Sequence, residues 1–175
     1  MKIRDMTQCA LFASLLCICA WISLPVADIA FTMQTFGVFL TLGLLGGKKG
    51  TLSILLYLLL GVVGLPVFSG FQGGVGVLLG VTGGYLTGFL LTGILYWLIT
   101  AMAGNGAKAR LLAMATGLFA CYLVGSVWFC VQYLQPGSPV SFSAVIGKCV
   151  VPYLLPDGVK LAAAWLLSGR LKRFL

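Results

Sequence analysis

Residues 51–66 run Thr-Leu-Ser-Ile-Leu-Leu-Tyr-Leu-Leu-Leu-Gly-Val-Val-Gly-Leu-Pro, with no charged side chain. The segment closes on Gly64-Leu65-Pro66, where poor helix formers break the pattern. It belongs to an uncharged stretch covering 50–107, and others cover 6–27, 29–47 and 111–147. Each is long enough to cross a bilayer, for which about 20 apolar residues are needed. The whole chain is 61% hydrophobic, with 11 Lys and Arg and 3 acidic residues among 175. Its mean hydropathy is +1.11, whereas ordinary soluble domains carry about 25% charged residues. A water-soluble fold is excluded. The expectation is a single membrane domain over 1–175, an all-α integral membrane protein of six transmembrane helices with no soluble catalytic domain.

The spans follow from the breaks. A first helix is expected over Met6–Leu24, ending at Pro25; it is longer than a signal-peptide core and further spans follow it. A second runs from Gln34 to Gly46-Gly47, before Lys48-Lys49, and a third from Thr51 to Gly64. Glycines at 70, 73, 74, 76, 80, 83 and 84 are too dense for a lipid-facing helix. They predict an irregular external loop between helices 3 and 4, since such backbone at membrane depth is tolerated only against protein or a cavity. The fourth span is expected over Gly84–Met102 and the fifth over Leu111–Tyr133. Residues 142, 145, 146, 149, 150, 153 and 154 form an apolar helical stripe, with Lys148 opposite. It is too short to cross and is expected at the interface. The sixth span opens at Pro156, a favoured first helical position. With both termini in the cytoplasm, Lys2, Arg4, Lys48, Lys49, Lys108, Arg110, Arg170, Lys172 and Arg173 all fall inside, as the positive-inside rule requires.

Two charges remain within a span, Asp157 and Lys160. Counting from Arg170 at 1.5 Å per residue puts Lys160 about 15 Å and Asp157 about 20 Å deep. Three residues apart, they share one helix face. Asp157 alone supports two readings: a ligand contact, or a carboxylate satisfying the free N–H groups of the first helical turn. For the pair a binding site is the better account, because a neutral cap such as Ser would serve the helix start without burying charge.

Other chemistry is sparse. There is no His and no Glu, and the six Cys form no Cys-x-x-Cys pair, so no metal site or cofactor is expected. The basic residues form no stripe that would bind nucleic acid. Gly74-Val75-Gly76 is followed by Gly80, and Gly43…Gly47-Lys48 lacks the Walker spacing, so no nucleotide site is encoded. A membrane acyltransferase would lack acid–base residues. A small ion or proton transporter would have one intramembrane Asp and no use for the Gly-rich loop. On the first helix, Cys9, Ala13 and Cys17 form one small-residue row and Ala10 and Ser14 another, suited to close helix packing within the chain or against a partner.

Several motifs occur in order: Thr32-x-Gln34-Thr35, Gly64-Leu65-Pro66-Val67-Phe68, Gly73-Gly74, Gly80-Val81-Thr82-Gly83-Gly84-Tyr85 and Pro156-Asp157-x-x-Lys160. Together they resemble the BioY family, the biotin-specific substrate-binding (S) components of bacterial energy-coupling-factor (ECF) transporters, over nearly the whole chain. Val81 and Phe31 stand where that family commonly has Pro; neither change removes a polar contact. The resemblance implies capture of biotin at the plasma membrane, no enzymatic activity in this chain, and partnership with a transmembrane scaffold subunit and two ATPase subunits. An S component for another small vitamin is the neighbouring possibility. It also implies that Asp157, Lys160, Tyr85, Gln34, Gly73, Gly74 and Thr82 contact substrate, and that Ala10, Ala13, Ser14 and Cys17 face the scaffold.

Overall fold

The computed structural model describes residues 2–24, 31–132 and 142–172. Within them the helices are α1 (Ile3–Trp21), α2 (Gln34–Val62), α3 (Val75–Leu79), α4 (Gly83–Ala103), α5 (Ala107–Gln132), α6 (Phe142–Cys149) and α7 (Val151–Leu171). Four of them, α1, α2, α4 and α5, are long and apolar enough to cross a membrane. The pair α6–α7, bent by 46° at its junction, makes a fifth candidate.

The helix α2 is not a rod. Gly46 sits at φ 78°, ψ 175°, a conformation that L side chains rarely adopt. Residues 34 and 57 would be about 35 Å apart along a continuous helix, yet Gln34 Nε2 donates to Tyr57 Oη at 2.6 Å. A Cβ on Gly50 would lie 3.0 Å from Leu42 Cα. The element is therefore a hairpin of two antiparallel arms, 34–45 and 47–62, turning beside Lys48-Lys49. Its tip is tied to α1 by an ion pair of Lys49 with Asp5 at 2.5 Å and a hydrogen bond to Gln8 Oε1 at 3.2 Å.

Several boundaries depart from the sequence reading; α5, for one, starts at Ala107 rather than Leu111. The first helix spans Ile3–Trp21 rather than Met6–Leu24, because Ser23–Leu24 (β1) leaves it to pair antiparallel with Phe31–Thr32 (β2). Pro25 and Asp28 lie outside the described residues. The expected stripe over Phe142–Leu154 stops at Cys149, and the last helix opens at Val151, not Pro156. Pro152 falls in the first turn of α7, where its missing N–H has no intrahelical partner to lose. The helix can thus start upstream and carry Pro156 inside it. The Gly-rich stretch is partly ordered as a 3-10 turn at Ser69–Phe71 and the five-residue α3.

One apolar core joins Leu16 of α1, Val38, Leu42 and Tyr57 of α2, Leu86 and Tyr96 of α4, Met114 of α5 and Ala164 of α7. Lipid gives no hydrophobic drive between helices, so close approach at small residues must supply the attraction. The α4–α5 pair, the most extensive helix contact, is built this way. A Cβ on Gly84 would collide with Trp128, and one on Gly117 with Thr92. Leu112, Phe119, Leu123 and Val127 of α5 stay uncovered by the chain, as a lipid-facing surface requires.

Candidate functional site

A cavity of about 430 Å³ opens among β1, β2, α2, the Gly-rich segment, α4, α5, α6 and α7. That volume falls within the ordinary range for small-molecule sites. Its polar centre is the pair Asp157 and Lys160, 5% and 6% exposed. Lys160 Nζ donates to Asp157 Oδ1 at 2.8 Å and to the Thr32 carbonyl at 2.7 Å, and stands 3.8 Å from the Phe31 ring centroid. Tyr122 donates its phenolic hydrogen to Asp157 Oδ2 at 2.6 Å.

These partners decide what Asp157 is doing. It is the seventh residue of α7, beyond the first turn, so the helix-start reading loses its geometric basis. Each group also keeps unused capacity. A carboxylate offers about four lone-pair directions and here receives two donors; an ammonium has three hydrogens and here uses two on oxygen. The site can thus accept an N–H and donate to a carbonyl or carboxylate of one ligand.

Gln34 opens α2 two residues beyond Thr32, whose carbonyl accepts from Lys160. Its Oε1 receives the Thr32 hydroxyl at 3.0 Å while its Nε2 donates to Tyr57, leaving one amide hydrogen for the cavity. Tyr85, in the first turn of α4, packs its ring on Gly125, where a Cβ would collide. Its hydroxyl is buried with no hydrogen-bond partner among the described residues. The apolar remainder includes Phe68, Leu86, Phe89 and Leu118.

Of the residues expected to contact substrate, Asp157, Lys160, Tyr85, Gln34 and Thr82 line the cavity; Gly73 and Gly74 do not. A Cβ on Gly73 would strike the Leu65 carbonyl, and Gly74 has φ 95°, so both shape the loop from behind. That loop is clamped on two sides. Trp128 Nε1 donates to Gly80 O at 2.9 Å and Gln132 Nε2 to Leu79 O at 2.5 Å. On the other side Trp21 Nε1 donates to Pro66 O at 2.9 Å and its ring stacks on Phe71.

The α1 rows separate. Ala13 and Cys17 are buried within the chain, whereas Ala10 and Ser14 are exposed. Sequence reasoning missed Tyr122, Tyr153 and the Thr32 carbonyl. A phenol in mid-span was a usable signal for Tyr122. No side-chain pattern announces a carbonyl.

The BioY family profile matches residues 1–175. A probable biotin transporter BioY of Pyrococcus horikoshii is 38% identical, covering 98% of each chain. The biotin transporter BioY of Thermotoga maritima is 38% identical over 97% of this chain and 96% of its own. Among solved structures, the S-component for biotin from an ECF-type ABC transporter superposes with a TM-score of 0.84 at 24% identity, covering 98% of this chain and 92% of that one.

Proposed function

The chain belongs to the BioY family, and from that membership we propose that it captures biotin with high affinity and brings it into the cell as the substrate-binding subunit of an ATP-driven ECF transporter. Full-length similarity to biotin transporters supports this reading, as does the fold shared with a biotin S-component. The observation that carries it to individual residues is the buried Asp157–Lys160 pair, with unused hydrogen-bonding capacity facing a largely apolar cavity.

Biotin has a ureido ring with two N–H donors and a carbonyl, an apolar thioether ring and a valerate carboxylate. Asp157 accepts a ureido N–H, and Lys160 donates to the ureido carbonyl or the carboxylate. Gln34, Tyr85 and Thr82 add polar contacts, and the Gly-rich segment covers the bicycle through Ser69, Gly70 and Gln72.

The protein sits in the cell membrane as a multi-pass chain. The six crossings are α1, the two arms of α2, α4, α5 and α7, with α6 at the outer interface and both termini in the cytoplasm. The Gly46 reversal supports this count: the first arm packs on α1 and α7, at Gly37 against Leu16 and at Gly43 against Ser168, and the second arm packs on α4, at Thr51 against Gly93. Chemistry on ATP belongs to two ATPase subunits, joined through a transmembrane scaffold against which Ala10 and Ser14 of α1 are exposed. Co-purification of the membrane complex, weighed by native mass spectrometry, tests the partnership. Isolation of the chain with no associated subunits in its native membrane would count against it.

A further inference from the structure

Arg110 lies at the end of the bundle opposite the cavity, as the fourth residue of α5. It is only 9% exposed, and its Nε and Nη1 make no hydrogen bond. The Tyr96 hydroxyl of α4, fully buried, is likewise without a partner, and the Arg110 charge reaches it. A helix N-terminus is the positive pole of the helix, which favours an anion and disfavours a cation. Lys172 adds to the imbalance. Its ammonium is held below the ordinary lysine range by desolvation first and by repulsion from Arg110 second.

No carboxylate answers these charges among the described residues. Of the chain's three acidic residues, Asp5 is paired with Lys49 and Asp157 with Lys160, and Asp28 lies outside the described residues. A buried guanidinium without a counter-charge is costly, and an anion from outside would relieve that cost.

We propose that Arg110 is the centre of a phosphate-binding site, occupied by the headgroup of an anionic phospholipid. Access runs over Gly169, which is exposed and whose missing Cβ would stand 3.8 Å from Arg110 Nη2. The two helix ends are held together there by Trp165 Nε1 donating to Ala107 O at 3.0 Å. Nη2 is the guanidinium nitrogen that faces this opening and can donate to a phosphate oxygen, and basic pockets between helices are recurrent headgroup sites. Leu111, Leu112, Leu167 and Leu171 are uncovered beside it. An apolar surface next to a phosphate site fits a lipid better than a free ion.

The test uses the purified chain in detergent, with thermal unfolding followed on adding phosphatidylglycerol, phosphatidylcholine or inorganic phosphate. Phosphatidylglycerol is expected to raise the midpoint by about 5 °C, and Arg110→Gln to abolish the shift. Gly169→Asp, which places a carboxylate beside Nη2, is expected to raise the midpoint without lipid and to remove the response. Biotin binding by both variants should stay as in the wild type, which also checks that they fold. An equal shift with inorganic phosphate supports the site and assigns it to the free ion. No shift with either, or a shift by both lipids that survives in Arg110→Gln, overturns the proposal.

Discussion

Tyr122 of α5 donates to Asp157 of α7 at 2.6 Å, across the cavity floor. The phenol holds one carboxylate oxygen while Lys160 holds the other, so the acid that faces the cavity is oriented from two helices at once. Preorganised groups of this kind lose little entropy when a ligand arrives.

Replacing Tyr122 by Phe removes that hydrogen bond without changing the ring. A hydrogen bond to a charged group contributes about 1.5–3 kcal/mol. Biotin affinity measured by titration calorimetry is therefore expected to fall by about tenfold or more. An unchanged affinity would show that Tyr122 does not position Asp157.

The ion pair itself separates recognition from stability. Asp157→Asn leaves Lys160 buried without its counter-charge and should destabilise the fold by about 3 kcal/mol. Lys160→Met does the same to Asp157. The double variant should be more stable than either single one, yet bind biotin far more weakly than the wild type. Thermal unfolding of the three, read as a double-mutant cycle, checks the coupling. Purely additive effects would contradict it.

The loop clamp predicts a kinetic effect. Trp128→Phe keeps an aromatic ring over Gly84 but loses the bond to Gly80 O. Dissociation of labelled biotin should speed up several-fold, with association nearly unchanged, because most affinity tuning appears in the off-rate. Equal changes in both rates would place the effect elsewhere.

The hairpin predicts a cost at Gly46. Its φ of 78° with ψ 175° lies in a region almost reserved for glycine, where an L side chain costs about 1–3 kcal/mol, and nothing crowds the position. Gly46→Ala should lower the unfolding midpoint by about 2–6 °C. No loss would mean that the turn can form elsewhere.

Much of this was legible in the sequence because lipid punishes charge so heavily. Asp157 and Lys160 stood out as the two charges within a span, and the Lys48-Lys49 pair marked where α2 folds back. Helix ends were less legible. Proline at 152 and 156 offered two starts for α7, and only tertiary packing chooses the earlier one. The small-residue rows of α1 were visible, but composition could not tell which row faced inward; Ala13 and Cys17 do, Ala10 and Ser14 do not. The Gly73-Gly74 pair was expected at the ligand; neither residue lines the cavity.

The most direct test of biotin capture through Asp157 and Lys160 is equilibrium binding of labelled biotin to the purified, detergent-solubilised chain. Nanomolar-range retention by the wild type is predicted, with at least about a 100-fold loss, some 2.7 kcal/mol, in the folded Asp157→Asn/Lys160→Met double variant. No retention by the wild type, or the same dissociation constant in both, would contradict the account.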